Sequence, residues 1–115
     1  MADLNSLRDQ LRTFAAERDW DQFHSPKNLA SALAVEAAEL LEKFQWLTET
    51  ESQNLPPDAL EGVRQEIADV LLYLIRVSDK LGIDLIASAQ AKIALNAEKY
   101  PVDLARGTSK KYHEL

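Results

Sequence analysis

Glu36 and Glu39 stand three residues apart in "EAAELLEKFQW", and "EIADVLLYL" repeats the spacing with Glu66 and Asp69. Both stretches are apolar enough to pack as helices, and residues three apart share a helix face. Either these are four ordinary acids, with Glu39 paired to Lys43 one turn on and Glu66 and Asp69 on a solvated face with Arg76 in the next turn, or they are the walls of one site. Carboxylates that converge repel one another and raise each other's pKa unless a cation lies between them. An all-oxygen ligand set suits a hard ion, Mg²⁺ or Mn²⁺, and a chain with no cysteine and two histidines offers little else. A di-iron bundle would call for Glu-x-x-His pairs, which neither His24 nor His113 completes. Because Mg²⁺ takes one or two protein carboxylates and fills its other positions with water and phosphate, four acids point to more than one ion. That arrangement suits phosphoryl chemistry, in which cations polarise phosphate oxygens and steady the leaving group. The chain has no Walker-type phosphate loop, so the cations would have to grip the phosphates.

A second group of residues could hold a flat ligand. Trp20 and Trp46 each sit at a helix end beside a polar link, with Phe23, His24 and Tyr73 adding flat or hydrogen-bonding groups. Such groups serve equally as end-of-helix packing or as a stacking site for a nucleobase. Lys92, Asn96 and Lys99 share one face of a later helix, with Tyr100 beside them. They form either a solvated face or contacts to phosphate and sugar hydroxyls. Arg106, Lys110 and Lys111 near the end could close over phosphates or simply be solvated.

These residues are positioned by four predicted helices. Leu4, Leu7, Leu11 and Phe14 recur at helical steps behind a capping Asp3, giving a first helix to about Asp19. Ser25 and Pro26 supply an N-cap and a first-turn proline, and the second helix should run to about Leu47 with Leu29, Leu33, Ala37, Leu40, Phe44 and Leu47 along its stripe. Asp58 with Glu61 resembles a capping box opening a third helix, which Gly82 ends in a left-handed cap after Leu81. Asp84 caps a fourth, with Ile86, Ala89, Ile93 and Ala97 expected to be buried and Pro101 at its end. On the second helix Glu36 lies at the edge of the apolar stripe, and Glu39 roughly 60 degrees further round. Glu66, Asp69, Tyr73 and Arg76 fall along one stripe of the third.

The expected fold is therefore all-α, a bundle of the four-helix type, with residues 1–100 as the helical domain and 101–115 as a tail of that same domain. The third helix is apolar on nearly every side from Ile67 to Val77, more than a small bundle can cover, so a homo-oligomer is expected. The formal charge of −6 argues against binding a nucleic acid polymer, which relies on a basic surface. The sequence contains neither an apolar leader at its start nor an apolar run of membrane-spanning length, so a soluble protein is expected, with the cytoplasm as the default location.

Taken together, "ERDWDQFHSPKNLASALAVEAAELLEKFQW", "EIADVLLYL" and "KYPVDLARGTSKKY" resemble the MazG-like all-α nucleoside triphosphate pyrophosphohydrolases, in particular the dCTP pyrophosphatase branch. The resemblance spans nearly the whole chain. It implies Mg²⁺-dependent hydrolysis of a (deoxy)nucleoside triphosphate between its α and β phosphates, with cytosine derivatives favoured and removal of unwanted nucleotides as the purpose. Glu36, Glu39, Glu66 and Asp69 match the family's metal-binding acids; Trp20, His24, Trp46 and Tyr73 match the nucleotide pocket; Lys92, Asn96 and Tyr100 match positions near sugar and phosphates. It also implies dimers or tetramers. Two alternatives stay open at this point: a different base, such as dUTP or another non-canonical triphosphate, and a non-catalytic helical oligomer that only binds a nucleotide.

Overall fold

In a computed structural model, which describes residues 3–115, every regular element is helical and no strand occurs among the described residues. The order is α1 (Leu4–Glu17), a 3₁₀ turn (Asp21–Phe23), α2 (Pro26–Glu42), α3 (Glu49–Ser52), α4 (Pro57–Lys80), α5 (Leu85–Lys99), α6 (Val102–Ala105) and a final 3₁₀ turn (Tyr112–Glu114). The chain divides into two compact units, one ending at Gly82 and one from Ile83 to Leu115.

In the first unit the long α4 packs against α2 and α1. The caps form as their residue types dictate. Asp3 Oδ1 accepts the Ser6 amide at 2.8 Å, and Ser25 Oγ accepts the Asn28 amide at 3.1 Å ahead of Pro26. Ala15, Leu29, Val63 and Ile75 are buried where the three helices meet, and Leu29 is the largest side chain fully withdrawn from solvent. Between α1 and α2 the chain doubles back through Asp19 at φ 54°, after which the Trp20 amide donates to Ala15 O at 2.9 Å. Asn28 Nδ2 then holds Phe23 O at 3.0 Å, fixing the link onto the start of α2.

Three boundaries differ from the sequence expectation. The second helix stops at Glu42 instead of near Leu47, and residues 43–46 form a turn. The polar link that follows contains the short α3, whose Thr48 and Glu51 make a reciprocal capping box. The box expected from Asp58 and Glu61 does not form. Pro56 occupies the cap position and Pro57 the first turn, where a missing N–H costs nothing, while Glu61 engages Arg64 and Gln65 one turn along. Gly82 takes φ 67°, the left-handed stop that its position implies.

In the second unit Asp84 caps α5 by accepting the Ala87 amide at 3.0 Å. The stripe expected to be buried is not. No residue of α5 is buried, and Ile86 and Ile93 are 53% and 68% exposed. Helical periodicity identifies which residues could be covered, but not by what. The C-terminal stretch, read as aperiodic, holds α6 and a 3₁₀ turn, with Tyr112 edge-on to Tyr100 at 6.3 Å and Lys99 Nζ 5.0 Å from the Tyr112 ring.

Candidate active site

The acids of α2 and α4 meet where the two helices pack. Ligand oxygens of Glu36, Glu39 and Glu66 lie within 4.8 Å of one another, and all three side chains are half-buried. Asp69, one turn beyond Glu66, lies outside that tight trio but close enough for its charge to act on Glu36. Among the described residues no lysine, arginine or histidine forms an ion pair with any of the four. The expected Glu39–Lys43 alternative is absent; Lys43 instead lies over Gly62 of α4.

The cost of this arrangement shows at Glu36, whose pKa is pushed up to about 7 from an ordinary 4.5. Burial is the largest cause, and the carboxylates of Glu39, Asp69 and Glu66 add to it. Glu36 Oε2 and Glu66 Oε2 are both withdrawn from solvent and make no hydrogen bond. Buried acceptors without partners are expensive, and two facing acceptors without donors are a geometry that a cation satisfies. The acids therefore fit a metal: hard oxygen donors from two helices, without competing internal cations.

Asp69 also lines the neighbouring cavity of about 220 Å³, with Leu11, Phe14, Ala15, Trp20, His24, Leu72, Tyr73 and Arg76. Its walls come from α1, the link before α2, and α4. Trp20 stands edge-on to Phe14 with ring centroids 5.7 Å apart, and the His24 ring follows at 6.2 Å from Trp20. The cavity is thus apolar and aromatic on one side, with Asp69, His24 and Arg76 as polar groups, the pattern of a small-molecule site.

Of the residues singled out for substrate, Trp20, His24 and Tyr73 line this cavity. Trp46 does not: it sits in the turn after α2 and is 87% exposed. Lys92 and Asn96 are exposed on α5 and Tyr100 caps its C-terminus, all in the second unit. Four wall residues escaped the sequence reading, namely Leu11, Phe14, Ala15 and Leu72. Arg76 was visible on the acidic stripe, where a solvated position was the ordinary assignment. It is instead 5% exposed, paired with Asp21 and, at 3.8 Å, with Asp79.

The chain resembles known proteins over most of its length. A model of the MazG-like family matches residues 32–115. The chain is 42% identical over 114 residues to dCTP pyrophosphatase 1 of Mus musculus and equally to that of Homo sapiens, in each case across 97% of this chain and 67% of the relative. A crystal structure of a pyrophosphatase from Archaeoglobus fulgidus superposes with a TM-score of 0.77 at 39% identity, covering 88% of this chain and 94% of that one. The chain belongs to the MazG-like nucleoside triphosphate pyrophosphohydrolases.

Proposed function

We propose that this enzyme hydrolyses dCTP, or a modified dCTP, between the α and β phosphates to give the monophosphate and pyrophosphate. The observation that carries the reading is the unpaired acidic cluster of Glu36, Glu39 and Glu66, joined through Asp69 to an aromatic cavity. The preference for cytosine is supported by the 42% identity to the dCTP pyrophosphatases.

In this reading Glu36, Glu39, Glu66 and Asp69 hold Mg²⁺, with Mn²⁺ as a substitute. Bound there, the metal supplies charge neutralisation for the phosphates and a lowered pKa for water. The chain's own residues do the rest. Trp20 and Tyr73 give faces to the base, His24 offers a hydrogen bond, and Leu11, Phe14 and Leu72 keep water from that end of the cavity. Trp46, Lys92, Asn96 and Tyr100 are assigned to base, sugar and phosphates on the family resemblance alone. The exposed Leu60, Ile67, Leu71 and Leu74 of α4, with Leu81 at its C-cap, support a homo-oligomer, a dimer or tetramer, in which these side chains leave water.

The test is a product-resolved assay. With dCTP and Mg²⁺ the enzyme releases pyrophosphate and dCMP, and Asp69→Asn loses turnover by at least a hundredfold while its helical circular dichroism persists. Release of orthophosphate, or full activity in Asp69→Asn, would overturn the assignment. A screen across dUTP and modified triphosphates ranks the bases.

A further inference from the structure

Arg76 is the most secluded charged residue among the described residues, yet it is no part of the acidic cluster. Its side chain is 6% exposed and faces the link between α1 and α2. Its guanidinium is divided among three partners. One terminal nitrogen pairs with Asp21, the other lies 3.8 Å from Asp79, and Nε donates to His24 Nδ1 at 3.1 Å. Asp21 is also held by Lys80 Nζ at 2.9 Å, and Asp79 by Arg12 at 2.8 and 2.5 Å. Each acid thus has a second cation, and neither needs Arg76 for neutralisation. What Arg76 alone supplies is the bond to His24.

The chemistry of that bond is one-directional. A guanidinium Nε carries a hydrogen and accepts nothing, so Nδ1 must be the bare nitrogen of the imidazole. A neutral ring then carries its proton on Nε2, and Nε2 is the nitrogen left to meet a ligand in the cavity that His24, Arg76 and Tyr73 line together. Resting on the nucleotide reading above, we propose that Arg76 is a positioning residue: it locks His24 in the Nε2–H tautomer and orientation, making it a fixed donor to a hydrogen-bond acceptor of the nucleotide, a carbonyl oxygen or bare ring nitrogen. Two observations agree. His24 is driven toward the neutral form, first by burial and then by the charge of Arg76, with Asp21 opposing and Lys80 assisting. And Asn28 Nδ2 anchors Phe23 O, so the backbone that carries His24 is itself held.

Long-range ¹H–¹⁵N correlation on the protein reads the tautomer directly. The chain has two histidines, so His24→Gln assigns the signals. We expect Nε2–H for His24 in the wild type and a displaced Nδ1 resonance in Arg76→Met. Binding of dCMP, the product, then separates positioning from scaffolding. Arg76→Met should weaken it roughly fivefold, on the scale of one neutral hydrogen bond, whereas the same change in a His24→Gln background should alter it by less than about twofold. An Nδ1–H tautomer in the wild type, an unmoved Nδ1 signal in the variant, or equal losses in both backgrounds would overturn the proposal. If Arg76→Met does not fold, Arg76→Lys keeps the charge and removes the Nε–H, and the same comparisons apply. Should dCMP fail to bind the wild type, the nucleotide reading falls, while the tautomer measurement still decides the role of Arg76.

Discussion

Replacing Glu36 by glutamine should stabilise the metal-free protein while destroying its activity, an outcome that a purely structural role for the acids does not give. The folded-state pKa of Glu36 is about 7 against an ordinary 4.5, raised first by burial and then by Glu39, Asp69 and Glu66. The folded chain therefore holds a proton that the unfolded chain has released, and stability falls as pH rises from about 4.5 through about 7. At 1.36 kcal/mol per pH unit the ceiling of this penalty is about 3 kcal/mol. Glu36 is only half-buried, and screening lowers the figure to roughly 1–2 kcal/mol at pH 8. A carboxamide has no such titration. In a chelator, thermal melts should coincide near pH 5 and separate by pH 8, with Glu36→Gln about 4–8 °C higher for a chain of this size. Millimolar Mg²⁺ should then raise the wild type and leave the variant almost unmoved, because a cation stabilises only the state that binds it. Equal pH slopes for the two proteins, or equal stabilisation by Mg²⁺, would refute the reasoning.

Three further outcomes test the scaffold. Asp79→Asn should cost about 1–2 kcal/mol at neutral pH, since Asp79 accepts two charge-assisted hydrogen bonds from Arg12. Arg12 holds the Asp79 pKa below its ordinary value, so this stability exists above about pH 4 and is lost as pH falls through the folded-state value; acid-induced unfolding should be shallower in the variant. Leu29→Ala, at a side chain only 1% exposed between α2 and its neighbours, should cost about 2–5 kcal/mol in a urea titration. Gly82→Ala should cost about 1–2 kcal/mol from backbone strain alone, because φ is +67° and nothing lies within 4 Å of the added methyl group.

What could be read in the sequence was what helical spacing encodes. Glu36 and Glu39 on one helix, and Glu66, Asp69, Tyr73 and Arg76 on another, follow from a period of 3.6 residues. So do the caps at Asp3, Ser25 and Asp84, because side-chain oxygens bond amides two or three residues away. The cavity was only half legible. Its floor on α4 shares that stripe, but Leu11, Phe14 and Ala15 belong to α1 and look like any packing face until α1 and α4 meet. The solvated alternative for Arg76 fails for the same reason. Its solvated reading assumed that the next turn of α4 faced water, whereas the link carrying Asp21 and His24 folds over it. The early end of α2 at Glu42 had no local signal strong enough to compete with an apolar stripe that continues through Phe44 and Leu47.

The stripe on α4 also explains why phosphate and base chemistry should occupy one cleft. Glu66 and Asp69 face the acids of α2, Tyr73 lies one turn on in the cavity wall, and Arg76 lies one turn further, bonded to His24. At 1.5 Å of rise per residue these four span about 15 Å along a single rigid helix. In the proposed reaction, cation-holding carboxylates lie toward one end of that span and the base-reading groups toward the other. The separation between them is therefore set by the helix instead of by a loop. Asp69 belongs to both, close enough for its charge to act on Glu36 and exposed to the cavity that holds Trp20. A nucleotide whose base is seated against Trp20 and Tyr73 thus has its phosphates directed toward the only described cluster of unpaired acids. Proximity of that kind lowers the entropic cost of hydrolysis before any charge stabilisation is counted.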